Sequence, residues 1–236
     1  MTSLYREPER QESVAFGALE YHDVFKIFSS GPVETVALRG LDLKIAPGEF
    51  VALYGPSGSG KSTALHLAAG LDVPSAGEVR VFGRSLARLN DAELAHYRGR
   101  EMAIVFQSGN VWPLLSAGEN VALGLRLAGR KRELKTAVRR VLDIFDLHGR
   151  EGTRAGSLSG GEQQRVAIAA AAAREAPLLL ADEPTAELDE TNEWVVLDAL
   201  RRLRDQCGST VVVVTHSAQV ADAVDRVIEI RDGGSA

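Results

Sequence analysis

The stretch Gly55, Pro56, Ser57, Gly58, Ser59, Gly60, Lys61, Ser62, Thr63 constrains the fold of this chain more than any other. It fits G-x-x-x-x-G-K-[ST], a loop whose backbone amides wrap phosphate groups. Such a loop needs a buried strand before it and a helix N-terminus after it. Glu49–Tyr54 is a short apolar run of strand formers, and Thr63–Ala69 reads as a helix that closes at Gly70. The glycines let the backbone curl so that several N–H groups converge, and the helix dipole adds positive potential. Lys61 is placed to reach the β- and γ-phosphates, and the Ser62 hydroxyl to ligate Mg²⁺. The chain is therefore read as binding a nucleoside triphosphate with Mg²⁺ through a strand–loop–helix unit.

Composition removes several other classes. A chain of 236 residues can bury one substantial core with a smaller subdomain attached. A formal net charge of −5 gives no electrostatic footprint for nucleic acid. Cys207 is the sole cysteine, so the fold must stand without an internal disulfide. Met1–Glu12 is dense in charge, carries Pro8 and lacks the apolar stretch of a signal peptide. The longest apolar run, Val166–Ala173, falls far short of the roughly 20 residues needed to cross a bilayer.

Along the chain, residues 1–18 read as a flexible tail and 19–236 as one domain. Strand-like runs follow at Leu19–Phe25, Val36–Leu43, Gly48–Tyr54 and Gly77–Phe82, separated by turn residues such as Ser29–Pro32 and Pro47–Gly48. A helix is expected over Asp91–Tyr97 with Asn90 as its N-cap, then a buried strand over Met102–Phe106. Between about 113 and 157 the periodicity becomes helical. Leu134, Val138, Val141, Leu142 and Phe145 recur at helical spacing, with Lys and Arg on the outer face. Strands and helices then alternate: helix Gly161–Arg174, strand Leu178–Ala181, helix Glu190–Gln206, strand Thr210–Thr215, a short helix from Ala218 and strand Arg226–Ile230. The fold class expected is α/β, with a mostly parallel sheet flanked by helices, an N-terminal antiparallel β subdomain and an inserted helical subdomain.

Two further elements carry chemistry. Leu178–Ala181 delivers Asp182 and Glu183 at a strand end, where Asp182 suits Mg²⁺ and Glu183 suits polarising the attacking water. Taken alone, such carboxylates serve equally as a helix cap or a solvated turn. Leu158-Ser159-Gly160-Gly161-Glu162 opens a long helix with a serine cap and two glycines, a second anion-binding surface suited to a γ-phosphate.

With these motifs in order, the chain resembles the nucleotide-binding subunits of ATP-binding cassette transporters over about residues 15–233. The resemblance assigns Gly55–Thr63 to the phosphate loop, Gln107 to the loop that approaches Mg²⁺ and the attacking water, and Leu158–Glu162 to the signature. It assigns Asp182 and Glu183 to the Walker B pair, Ala186–Asp189 to the D-loop and His216 to the γ-phosphate switch that orients Glu183. It implies ATP hydrolysis with Mg²⁺, and an integral membrane permease as partner. The phosphate loop and the signature can serve one γ-phosphate only from opposite protomers. A second nucleotide-binding subunit, as a homodimer, therefore closes two shared sites with Asp189 across the interface. The location implied is cytoplasmic, on the inner face of the membrane through the permease.

Two positions depart from the family pattern. Phe28 stands where the base-stacking tyrosine is usual; a phenyl face stacks comparably, and the other reading is a core aromatic. Ala170 stands where arginine is common. The runs Phe106–Val121 and Leu180–Thr185 look like lipoprotein-release, macrolide-export and cell-division ATPases. Trp112, Pro113, Leu114 and Leu115 either pack the helical subdomain or line a groove for a permease helix. The rival functions are a soluble cassette ATPase in DNA repair or translation, and a regulatory module without turnover.

Overall fold

Strands that are apolar on both faces need cover on both, and that requirement organises this chain. The computed structural model describes residues 16–31, 33–130, 132–186 and 188–235. The first part holds β1 (Leu19–Ser30), β2 (Val33–Ile45), β3 (Phe50–Tyr54), α1 (Lys61–Ala68), β4 (Ala76–Val81), β5 (Arg84–Ser85), α2 (Asp91–His96) and β6 (Met102–Val105). Next come α3 (Ala117–Leu127), α4 (Leu134–Ile144), α5 (Gly160–Ala172), β7 (Leu178–Asp182) and α6 (Glu190–Cys207). The chain then runs through β8 (Thr210–Thr215), α7 (Ala218–Asp222), β9 (Arg226–Arg231) and β10 (Gly234–Ser235).

One sheet has the order β10-β9-β3-β8-β7-β6, parallel except for the β10–β9 pair. Its central strands send alternate residues into two separate cores. Phe50, Ala52, Leu179, Ala181, Val211 and Val213 join α3, α5 and α6 on one face. Val51, Leu53, Leu178, Leu180, Val212 and Val214 join α1 and the second sheet on the other. That second sheet is antiparallel, in the order β2-β1-β4-β5. This matches the α/β architecture expected from the alternation of strands and helices.

Helix α1 is anchored to its surroundings by two phenols. Tyr21 Oη donates to the Ala64 carbonyl at 2.8 Å and Tyr97 Oη to that of Ala68 at 2.6 Å. Both tyrosines are fully buried, and burial pushes both phenols above their ordinary range. Gly70 ends the helix at φ 61°, with Leu71 N–H returning to the His66 carbonyl at 3.0 Å.

Three sequence expectations change. The hairpin β1–β2 is longer than its apolar runs, because register shifts between Tyr21 and Ile27 break the alternation that marks a strand. The tail boundary at 18 moves: residues 1–15 lie outside the described part, but Ala18 is fully buried and donates to the Ile45 carbonyl at 2.8 Å. The pair β5 and β10 was not anticipated, being two residues each.

In the segment between β6 and β7, α3 crosses α5 so closely that a Cβ on Gly124 would sit 2.1 Å from the Ala170 carbonyl oxygen. The alanine-rich stretch of α5 makes this approach possible, and the alanine at 170 leaves room for it. Helix propensity alone favours Ala over Gly by about 1 kcal/mol. Overpacking of this kind costs about 1–3 kcal/mol, so Gly124→Ala is expected to be destabilising overall. Net of propensity the cost is about 0–2 kcal/mol, so calorimetry should show Tm falling by up to about 8 °C, whereas Gly152→Ala, with open space around its Cβ, should be near neutral.

Candidate active site

The C-terminal ends of β3, β7 and β8 lie side by side, and each delivers a chemically active residue at that edge. After β3 the chain turns through Gly55–Gly60 into α1. Only glycine fits at both ends of this turn. A Cβ on Gly55 would lie 2.2 Å from the Ile230 carbonyl oxygen. At Gly60 the φ is 98° and a Cβ would lie 2.4 Å from the Ala37 oxygen. Pro56, Ser57 and Gly58 are exposed at the lip, while Ser59 is buried with an Oγ that has no hydrogen-bond partner. Lys61 is 6% exposed and folds over the loop, with Nζ donating to the carbonyls of Gly55 and Pro56 at 2.8 Å each. A ring of amides, a buried unpartnered hydroxyl and one enclosed ammonium fit a polyphosphate.

Ser62 Oγ donates to Asp182 Oδ1 at 3.0 Å, which joins the start of α1 to the end of β7. Burial pushes the Asp182 carboxyl above its usual range, and the Ser62 hydroxyl and the Lys61 charge work against that shift. Among the described residues no group of three His, Cys, Asp or Glu forms a metal cage. A hydroxyl and a carboxylate are hard oxygen donors that leave the remaining positions of an octahedral shell to water and phosphate, which suits Mg²⁺.

Glu183 follows at φ 46°, in the left-handed region that costs a non-glycine residue about 1–3 kcal/mol. Its N–H bonds to the Val214 carbonyl at 2.9 Å, and its Oε1 lies 2.8 Å from His216 Nδ1. The carboxylate is largely enclosed, with a side-chain exposure of 14%, whereas the imidazole is 68% exposed. A carboxylate held by an imidazole at the open edge can polarise water and sense what docks there.

The other expected site residues make no hydrogen bond to this cluster among the described residues. Ser159 caps α5, accepting from Glu162 N–H at 3.3 Å, while Glu162 Oε2 accepts from Ser159 N–H at 2.9 Å. The Ser159 amide holds the Glu162 carboxyl below its ordinary range against a smaller opposing effect of burial, and Arg150 Nε adds to this at 3.0 Å. The Glu162 carboxylate therefore serves the cap, leaving Ser159 and Gly160 exposed at the helix tip. No hydrogen bond joins Ser159–Glu162 to the phosphate loop among the described residues. Leu188 Cδ2 lies 3.2 Å from where a Gly161 Cβ would be, and Asp189 caps α6 through Asn192 N–H at 2.9 Å. Glu187 of the expected D-loop lies outside the described residues. Gln107 is exposed just past β6.

Phe28 is 45% exposed on β1, so the core-aromatic reading does not hold. Sequence reading missed its support: Lys26 Nζ lies 4.9 Å from the ring centroid and donates to Asp72 Oδ1 at 2.6 Å. The available signal was spacing, since residues two apart on a strand share a face. It missed Gln164 too, whose buried Nε2 donates to the Pro184 carbonyl at 3.1 Å and so links α5 to the loop bearing Glu183.

Comparison with known proteins fits this geometry. The family model described as ABC transporter matches residues 38–186. The lipoprotein-releasing system ATP-binding protein LolD of Geobacter metallireducens is 43% identical over 216 residues, covering 91% of this chain and 96% of that protein. The macrolide export ATP-binding/permease protein MacB of Chlorobaculum tepidum is 40% identical over 91% of this chain, which spans 33% of that longer protein. Among solved structures, a dimeric post-hydrolysis state of the ATP-binding cassette MJ0796 bound to ADP and Pi superposes with a TM-score of 0.86. It is 39% identical and covers 92% of this chain and 96% of its own.

The exposed ring of Phe28 yields a direct test. If Phe28 takes the base, as the resemblance implies, Phe28→Ala should raise the Kd for ATP by about 5- to 150-fold in calorimetric titration, the loss of such a face costing about 1–3 kcal/mol. Phe28→Tyr should stay within about threefold, because the ring rather than the hydroxyl stacks.

Proposed function

The chain belongs to the ABC transporter family as an ATP-binding and ATP-hydrolysing member, and from that premise we propose how its residues divide the work. The observation that carries the reading is the joined set at the sheet edge, with Ser62 bonded to Asp182 and Glu183 to His216. The names of the relatives, which are ATP-binding proteins of lipoprotein release and macrolide export, favour transport over a soluble ATPase of DNA repair or translation.

In this reading the amides of Gly55–Thr63 bind the phosphates of ATP and Lys61 neutralises the β- and γ-groups. Ser62 and Asp182 would hold Mg²⁺, with Gln107 past the end of β6 as a further oxygen donor, and the cation would supply positive charge to offset that of the phosphates. Glu183 accepts a proton from the attacking water as that oxygen bonds to the γ-phosphorus and the bridge to ADP breaks. His216 keeps the Glu183 carboxylate aimed and contacts the γ-phosphate. Phe28 stacks on the base.

A single chain then presents two separated half-sites, the phosphate loop and the cap of α5. We read them as facing each other between two copies, so that Ser159–Glu162 of one and the phosphate loop of the other enclose the same ATP, with Asp189 at the seam. The helical segment 113–157 has no part in that pocket. Trp112 is 68% exposed and Leu114 83% exposed, with Leu115 half-buried behind them, which favours a docking face over an internal core for the first two. Asn120, 4% exposed, pins the backbone there by accepting from Trp112 N–H at 2.8 Å and donating to the Ser116 carbonyl at 2.9 Å. A rigidly held apolar surface beside Gln107 suits a short helix of a membrane permease. No described helix is long and apolar enough to cross a membrane, so the permease supplies attachment to the inner face.

Two measurements test the assignment. Glu183→Gln should keep ATP binding yet lose turnover by about 10²-fold or more. With ATP and Mg²⁺, but not with ADP, that variant should sediment as a dimer, and adding Ser159→Arg should abolish the dimer by filling the phosphate position. Near-normal hydrolysis, or a dimer indifferent to Ser159→Arg, would contradict the shared site. Separately, Leu114→Arg should leave ATPase activity of the isolated subunit within about twofold, since it changes only a permease-facing side chain, but weaken co-purification with the permease in detergent by about tenfold or more. Undiminished co-purification would place the contact elsewhere.

A further inference from the structure

The loops that carry Glu183 and His216 end on one buried carboxylate. Thr185 Oγ1, two residues beyond Glu183, donates to Glu193 Oε1 at 2.8 Å. Ser217 Oγ, the neighbour of His216, donates to the same oxygen at 3.2 Å. With the Gln219 amide turned so that its nitrogen faces the carboxylate, it donates to Oε2 at 2.9 Å and its oxygen accepts from Trp194 Nε1 at 2.7 Å. Glu193 is 8% exposed and Thr185 5%.

All of these partners are uncharged. A carboxylate taken out of water and met, among the described residues, only by neutral donors is a costly choice for a residue whose task is packing. Its place in the first turns of α6 lowers that cost, because the helix dipole favours negative charge there. The hydroxyls it collects come from the two strand-end loops that must be held in register. Glu183 sits in a backbone conformation that persists only where neighbours over-determine it. On one side it is fixed by its own N–H to Val214, and on the other by Thr185 to Glu193.

We propose that Glu193 is a positioning residue for ATP hydrolysis. Its Oε1 clamps the loop after β7 to the loop after β8, so that the Glu183 carboxylate and the His216 imidazole remain within hydrogen-bond reach of each other during turnover. In this role Glu193 acts through the two loops it joins. The proposal rests on Glu183 being the water-polarising base.

The test is steady-state ATPase kinetics with nucleotide titrations on the whole chain. Glu193→Ala should lower kcat by about tenfold or more while KM and the Kd for ATP stay within about threefold, because the binding loop is untouched. Glu193→Gln keeps an oxygen that can accept both hydroxyls, and should recover kcat to within about threefold of the wild type. Glu193→Asp, one methylene shorter, should not. If Glu193→Ala fails to fold, Thr185→Val combined with Ser217→Ala removes the same two bonds and should show the same split of kcat from KM. Unchanged kcat in these variants would overturn the proposal, as would a fall in kcat matched by an equal loss of ATP affinity. A Glu193→Gln variant as slow as Glu193→Ala would do so too. Glu183→Gln run in parallel separates the two claims. Normal turnover there fails the base assignment and the proposal with it; a hundredfold loss beside an unaffected Glu193→Ala fails the proposal alone.

Discussion

One hydrogen bond, from Glu183 N–H to the Val214 carbonyl, governs the geometry of the site. It lies one step past Asp182, the last residue of β7 in register with β8. Extending the ladder by one bond while the Glu183 backbone turns left-handed reorients the side chain at the strand's end. The carboxylate then meets His216, whose strand is held by the same ladder. Asp182, still within the strand, keeps its regular orientation toward Ser62. Two neighbouring carboxylates thus acquire different partners because one is inside the ladder and the other just outside it.

The platform under these loops is stiff for reasons of packing. Five parallel strands are sandwiched between two apolar cores, and each central strand contributes to both. On one face, the buried phenol of Tyr21 fastens α1 to the antiparallel sheet, and that of Tyr97 fastens it to the turn that follows α2. On the other, the glycine of α3 and the alanines of α5 allow backbones to meet nearly in contact. Close-packed interiors transmit displacement rather than absorb it. Gln164 of α5 is bonded to the Pro184 carbonyl, the residue after Glu183, so the capped end of α5 and the catalytic loop share a direct contact.

Much of this was legible in the sequence, for identifiable reasons. The strand, loop and helix around Lys61, and the apolar strands ending at Asp182 and Thr215, announce themselves because each is short, apolar and ended by a chemically distinctive residue. The cap at Ser159 was readable because its partner Glu162 stands three residues on. What stayed hidden depends on tertiary position. Register shifts blur the alternation in β1, so its length and the pairing of Lys26 with Phe28 escaped notice. Glu193 looks like any polar residue of a helical first turn, and only the return of Thr185 and Ser217 from distant strands gives it meaning. The exposure of Trp112 and Leu114 was undecidable from apolar character alone, since the same residues suit a core or a docking face.

The position of Lys61 has a consequence for the loop itself. Its ammonium is seated between the Gly55 and Pro56 carbonyls, so it ties together the two ends of the turn that opens the loop. The side chain therefore shapes the loop as well as charging it, and an apolar substitute of similar length, such as Met, would remove the tie together with the positive charge.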